Sequence, residues 1–241
     1  MALLNYTQGM KAILLDIEGT TTPIVFVHDV LFPFAKARIG KFVETHFDAL
    51  RNEIEQIVDE RAHDEKYTVP VDPREPGSVS TYLEFLIDND RKSTPLKTIQ
   101  GKIWEAGYES GELVSPVFAD VPSAFRRWKD AGITIAIYSS GSVLAQKLLF
   151  RHTDHGDLTP FISNYFDTTT GGKREAESYA KIASELGFDP EGILFCSDIP
   201  EELDAAQASG MSTALVVRPG NATAAEDAVS DRVVTTFDDI G

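Results

Sequence analysis

The stretch Ala12-Ile13-Leu14-Leu15-Asp16-Ile17-Glu18-Gly19-Thr20 constrains the fold more than any other part of the chain. Four apolar residues run into an acid, a second acid follows two positions later, and Gly-Thr closes the run. The run fits a buried strand and is far shorter than the roughly 20 apolar residues of a membrane span. In open α/β sheets, ligands gather at the carboxyl ends of strands, so this sequence delivers Asp16 to the place where chemistry occurs. Gly19 lets the chain turn away with unusual dihedrals. Two carboxyls held this close repel unless a cation lies between them or one keeps a proton. Taken alone, the stretch also fits a plain strand end with Asp16 as a local hydrogen-bonding cap. Later strands decide between the two.

From Val117 onward, strands and helices alternate. Residues 122–130 read as a short helix with Phe125 and Trp128 on one face, stopped by Gly132. Ile133 to Tyr138 is an apolar, β-branched run that leads into Ser139-Ser140-Gly141-Ser142 and a helix over 143–150. A short strand is predicted at 165–167, a glycine loop at Gly171-Gly172-Lys173 and a helix over 176–186 ended by Gly187. Ile193 to Cys196 is a strand running into Ser197-Asp198, followed by a helix over 200–209 and a strand over 213–217 before Arg218-Pro219-Gly220-Asn221. Val233-Val234 reads as an edge strand. This alternation predicts a parallel sheet with right-handed crossovers, an α/β doubly wound fold.

Residues 21–115 carry no clear buried strand. Leu31 to Ala37, Ile39 to Phe47 and Leu50 to Val58 show helical spacing, with breaks predicted at Pro33 and Gly40. Residues 61–77, with prolines at 70, 73 and 76, read as loop and 80–88 as helix. Thr94-Pro95 reads as N-cap and first helical residue, with Leu96, Ile99, Ile103 and Ala106 on one face and Gly107 and Gly111 closing the unit. The expected organisation is a catalytic core of residues 1–20 and 116–241 with a helical insertion over 21–115, placed after the first strand as a lid would be.

The formal net charge of −16, from 22 basic and 38 acidic residues, argues against nucleic acid or an anionic membrane as partner. A small anionic substrate stays compatible, because a metal ion and one lysine invert a local field. The single cysteine, Cys196, precludes an intrachain disulfide and reads as a buried core residue. With no basic-then-apolar leader in the first ten residues, the expected location is the cytoplasm.

Four strand ends thus carry distinct polar groups: Asp16 and Glu18, Ser139 and Ser140, Lys173, and Asp198 with Glu201, Glu202 and Asp204 behind it. Carboxylates hold Mg²⁺, one carboxylate can become a phosphorylated nucleophile, and lysine and hydroxyl donors neutralise phosphate oxygens. The set suits phosphoryl transfer. In these four motifs, in order, the chain resembles the haloacid dehalogenase-like phosphatase superfamily: Asp-x-acid-Gly-Thr, a strand ending in Ser, a loop Lys, and a strand ending in Ser-Asp. Glu18 departs from the Asp that most of those phosphatases carry. The strings DIEGTTTPI, LKTIQGKIWEAGYESGEL, IYSSGSVLAQKLLF, ESYAKIA and LVVRPGN resemble one branch, the bifunctional enolase-phosphatases of L-methionine salvage, from about Ala12 to Asn221.

The resemblance implies a Rossmann-like core with a helical cap insertion, one Mg²⁺ per chain and a monomer. It implies a small phosphorylated diketone, 2,3-diketo-5-methylthiopentyl-1-phosphate, as substrate, enolised and then dephosphorylated. By the same resemblance Asp16 is nucleophile and metal ligand. Glu18 is the general acid and then the base, its main-chain carbonyl touching the metal, and Asp198 is the third metal contact. Ser139, Ser140 and Lys173 bind phosphate and nearby substrate oxygens. The base for enolisation stays open between Glu18 and Asp16.

Plainer roles are set beside these. Ser139 and Ser140 also suit a helix N-cap. Glu202 and Asp204 fit a helix cap or a brace for Lys173, and Arg218 fits a structural role equally well. Trp104 and Tyr108 read as packing, and the five histidines lack metal-ligand spacing. Two other functions compete: a phosphatase of the same superfamily without an enolase step, and a non-catalytic receiver-like switch that accepts phosphate on Asp16.

Overall fold

The first strand, β1 (Ala12–Leu15), lies inside a six-stranded, all-parallel sheet of order β3-β2-β1-β4-β5-β6. The structure is a computed structural model, described over residues 9–89, 91–220 and 232–240. Asn221 and the extension before Gly9 fall outside the described residues. In chain order, β1 is followed by α1 (Ile24–Phe26), a π-helical turn (Val27–Leu31), α2 (Phe32–His46), α3 (Arg51–Ala62), α4 (Pro76–Asp88) and α5 (Thr94–Glu109). Then come α6 (Val121–Asp130), β2 (Thr134–Tyr138), α7 (Val143–Arg151), β3 (Ile162–Phe166) and α8 (Ala176–Leu186). The chain continues through β4 (Ile193–Ser197), α9 (Pro200–Ala208), β5 (Ser212–Val216) and β6 (Val233–Val234).

The contiguous apolar run of β1 follows from double coverage. Ile13 and Leu15 face one core with Phe125, Trp128, Ile135, Ile137 and Cys196. Ala12 and Leu14 face the other, with Tyr138, Tyr179, Ile182, Phe195 and Leu203. A parallel sheet buried on both faces needs apolar residues at every position rather than alternate ones. Leu15 pairs with Ile137 on one side and Cys196 on the other, so the residues after β1, β2 and β4 emerge together at one sheet edge.

The chain divides into two compact units, Met1–Phe26 with Val114–Gly241, and Val27–Leu113. Residues 20–22 stay with the sheet unit: their amides donate to the Ile17 carbonyl, and the Thr21 carbonyl accepts the Phe118 amide at 3.0 Å. The second unit is helical among its described residues, with Ala35, Ile39 and Val43 of α2 buried. Asp64 ties it together, accepting from the Tyr82 hydroxyl at 3.1 Å, Arg91 at 3.4 Å and the Lys66 amide at 2.9 Å. No helix among the described residues is long and apolar enough to cross a membrane.

Several local expectations are corrected. Pro33 and Gly40 do not interrupt the helical run: Pro33 lies in the first turn of α2, where the π-helical turn Val27–Leu31 passes into α-helix, and Gly40 lies within α2. Residues 76–79, expected as loop or connection, already belong to α4, with Pro76 at its start. Ser93, not Thr94, is the N-cap of α5, its Oγ accepting the Leu96 amide at 3.3 Å. Gly107 does not end α5 but lies inside it, where an added Cβ would meet Phe34 Cζ at 2.5 Å. Ala106 is exposed, its expected place on the buried face taken by Trp104, Gly107 and Tyr108. The third strand spans Ile162–Phe166 rather than 165–167, because this edge strand carries polar Ser163 and Asn164 that mask its pattern.

Candidate active site

Three strand ends and one loop build the site. The Asp16 amide donates to the Cys196 carbonyl at 3.0 Å, extending the ladder one residue and holding the nearly buried Asp16 at the edge of the sheet. The chain then folds on itself. The Ile17 carbonyl accepts the amides of Thr20, Thr21 and Thr22 at 3.2, 2.9 and 2.9 Å, and Gly19 adopts φ +69° to make that possible. Glu18 lies in this turn, half-buried, two residues beyond Asp16.

Lys173 joins the strand ends. Its Nζ lies 2.6 Å from Asp16 Oδ1 and 2.7 Å from Glu202 Oε2, with all three side chains largely withdrawn from water. Burial alone would lower the lysine pKa; the charges of Asp16 and Glu202 outweigh it and hold the ammonium above the usual lysine range. The Ser197 hydroxyl donates to Glu202 Oε2 at 3.0 Å and accepts the Ile199 amide at 3.1 Å, fixing Glu202 beside the lysine. Burial, and then the charge of Asp16, pushes the Asp198 carboxyl up to about 7.

Asp16 and Glu202 contact the ammonium of Lys173, and Asp198 lies within electrostatic reach of all three, so these four groups carry two excess negative charges when ionised. That balance matches a hard divalent cation with oxygen ligands. Among the described residues no three His, Cys, Asp or Glu side chains converge as a preformed cage. Mg²⁺ does not require one: it takes one or two carboxylates and completes its shell with water and substrate oxygens.

Ser139 is buried and Ser140 half-buried directly after β2, beside β1. Neither caps the next helix. Ser142 does, its Oγ accepting the Ala145 amide at 3.3 Å, while Ser139 Oγ accepts the Gly141 amide at 3.2 Å. Gln146 fastens this loop from beneath, donating to the carbonyls of Gly141 and Phe166 at 2.8 Å each. The structure thus brings Asp16, Lys173 and Asp198 into one cluster and sets Ser139 and Ser140 at the same sheet edge.

Arg218 is buried between Phe118 and Phe237 and donates to Asp120, Thr20 O and Thr235 O. Trp104 packs on Phe32 and donates to Leu31 O at 2.8 Å. Ser197 and the hydroxyls of Tyr138 and Tyr179 were not legible as site components. Ser197 reads only as the residue before Asp198, and both tyrosines sit in apolar patterns that signal core.

The family model of haloacid dehalogenase-like hydrolases matches residues 10–210. The chain is 50% identical over 224 residues to enolase-phosphatase E1 of Drosophila persimilis, covering 90% of this chain and 88% of that protein. It is 51% identical over 229 residues to enolase-phosphatase E1 of Synechococcus elongatus, covering 89% and 92%. The crystal structure of the UTR4 protein of Saccharomyces cerevisiae superposes with a TM-score of 0.79 at 35% identity, covering 95% of this chain and 99% of that one. The chain belongs to the haloacid dehalogenase-like hydrolases and, within them, to the enolase-phosphatase E1 family.

Proposed function

We propose that the chain is an acireductone synthase. It enolises 2,3-diketo-5-methylthiopentyl-1-phosphate and then hydrolyses the phosphate ester to give the acireductone and inorganic phosphate, in L-methionine salvage. The observation that carries the chemistry is the Asp16–Lys173–Glu202 cluster, with contacts of 2.6 and 2.7 Å at the end of β1, in a chain about half identical to enolase-phosphatases.

In the enolase step a carboxylate takes the proton from the carbon beside a carbonyl. The C–H electron pair becomes the enol double bond and the carbonyl oxygen gains the charge. Asp16 and Glu18 are the two candidates for that base: Glu18 would keep the proton for the later leaving oxygen, whereas Asp16 would pass it to the enolate oxygen and return to its carboxylate form before attacking phosphorus. In the phosphatase step an Asp16 oxygen attacks phosphorus, the ester P–O bond breaks, and Glu18 gives its proton to the leaving oxygen. Glu18 then takes a proton from water as the water oxygen attacks phosphorus, which releases phosphate and restores Asp16. Dividing the reaction matters, because phosphate monoester hydrolysis asks for accelerations of up to roughly 10²¹-fold. Lys173, Ser139 and Ser140 neutralise and orient the phosphate oxygens. The Asp16 carboxylate, the Glu18 main-chain carbonyl and the Asp198 carboxylate would hold one Mg²⁺. When bound, it supplies Lewis-acid stabilisation of phosphate and enolate oxygens.

Stopped-flow mixing with the diketo phosphate and Mg²⁺, recording enol absorbance and released phosphate together, tests this reading. Absorbance is expected to rise before phosphate, and Asp16→Asn is expected to abolish phosphate release. Phosphate without an enol signal would reduce the chain to a plain phosphatase. One turnover per chain would make it a phosphoryl-accepting switch. Glu18→Asp shortens the second acid by one methylene and is expected to slow at least one half-reaction; unchanged rates in both would remove any role for its length.

A further inference from the structure

We infer that Tyr138 and Tyr179 are positioning residues for Lys173, holding the backbone of its loop at Gly171 and at Lys173 itself so that Nζ is presented at a fixed point; this rests on the reading of Lys173 as the phosphate-binding lysine. The Tyr138 hydroxyl donates to the Gly171 carbonyl at 2.9 Å, and the Tyr179 hydroxyl donates to the Lys173 carbonyl at 2.7 Å. These carbonyls lie two residues apart in a segment outside any helix or strand, where no ladder fixes the backbone. Both tyrosines are fully buried and stand on rigid supports: Tyr138 ends a strand next to β1, and Tyr179 lies in α8. Their rings meet edge to face at 5.5 Å, and Tyr179 also packs on Phe195 of β4 at 5.0 Å, so neither hydroxyl is free to wander.

Residue choice in the loop agrees with such a clamp. Gly171 holds φ +152°, and a Cβ there would fall 2.1 Å from Ser178 Oγ, so the backbone sits directly against α8. Lys173 Nζ lies 5.9 Å from the centre of the Tyr138 ring, which places the same side chain at both the anchor and the ammonium. A ring buried in the core for packing alone has no use for a hydroxyl aimed at a loop carbonyl; phenylalanine would fill that space without a polar atom to satisfy. Two such hydroxyls converging on one short segment make its position, rather than the core's volume, the property they serve.

The test compares Tyr138→Phe, Tyr179→Phe and Lys173→Met with the full chain. The readouts are steady-state hydrolysis of a phosphate monoester with Mg²⁺, competitive inhibition by inorganic phosphate, thermal melting, and trypsin cleavage after Arg174. Each Phe variant keeps every carbon of the ring, and loss of one hydrogen bond is expected to raise the inhibition constant for phosphate about 3- to 10-fold. Cleavage after Arg174 is expected to quicken while the melting temperature moves by a few degrees at most. Phe variants that keep the wild-type phosphate constant and cleavage rate, with Lys173→Met still weakening phosphate, would overturn the clamp and leave the lysine assignment standing. A Lys173→Met chain that binds phosphate as well as wild type would remove the lysine assignment, and the clamp with it.

Discussion

Glu202 Oε2 lies 2.7 Å from Lys173 Nζ and accepts the Ser197 hydroxyl at 3.0 Å on the same oxygen. Burial, and after it the charge of Asp16, holds this carboxyl above the usual carboxylate range. The glutamate thus occupies a position that repels it in order to share the ammonium with Asp16. Glu202→Gln keeps the shape and removes the charge. The expected result is a fall in kcat/KM of about 10- to 100-fold, the worth of one hydrogen bond to a charged group. The melting temperature should change little, because repulsion is relieved as attraction is lost. Steady-state kinetics with a thermal melt check both parts.

Asp198 sets a pH dependence on the metal-free protein. Its carboxyl is raised from 3.8 to about 7 on folding. At low pH both states hold the proton and nothing is gained or lost. As pH rises from 3.8 towards 7, the folded state keeps a proton that the unfolded state releases, so stability falls; above 7 the penalty is constant. Asp198→Asn is therefore expected to melt above the wild type at pH 8 without metal, by about 2–6 °C. The gap should close near pH 4, and Mg²⁺ should raise the wild type alone. Parallel melting curves across the pH range would refute this account.

Gly171→Ala is expected to damage activity more than stability. The new methyl group would collide with Ser178 Oγ at 2.1 Å and would strain a backbone at φ +152°. The cheapest relief is a displaced Lys173 loop. Activity should drop at least about tenfold for a destabilisation of about 1–3 kcal/mol, the usual cost of overpacking. Ser178→Gly in the same chain removes the colliding atoms and is expected to restore part of the rate, which a double-mutant cycle measures.

Arg218 closes the carboxyl-terminal segment onto the turn after β1. Its Nη1 lies 2.8 Å from Asp120 Oδ2, its Nε donates to Thr20 O at 3.1 Å, and Asp120 also accepts the Phe237 amide and the Thr236 hydroxyl. Burial would raise the Asp120 pKa, but the Phe237 amide and Arg218 outweigh it and hold the carboxyl below its usual range. Arg218→Met leaves Asp120 charged and short of its partner, at an expected cost of about 3–5 kcal/mol near neutral pH. The stabilisation from this pair exists above the ordinary aspartate pKa and is lost as pH falls through the lower folded value. Denaturant titrations should thus show the variant and the wild type converging in acid.

What the sequence determined alone was the set of chemical groups and the strands that carry them. Residues 12–15 and 193–196 read as strands because both of their faces are buried, which writes an unbroken apolar run. The helix over 176–186 was legible at its carboxyl end because Gly187 supplies the left-handed residue, φ +74°, that stops it. Asp16, Ser139, Lys173 and Asp198 stood out because each follows an apolar run or sits in a glycine loop. Tertiary structure overrode local rules where burial outweighed propensity, as at Gly40 and Gly107 inside α2 and α5. It alone brought Lys173 onto Asp16, 157 residues away, and onto Glu202. The reason is topological: crossovers set the strand order β3-β2-β1-β4, with every strand parallel, so the loop after β3 leaves the sheet at the same edge as the ends of β1 and β4. Which tyrosine hydroxyl meets which carbonyl is decided last, by packing between elements, and leaves no mark in the apolar pattern that places the rings.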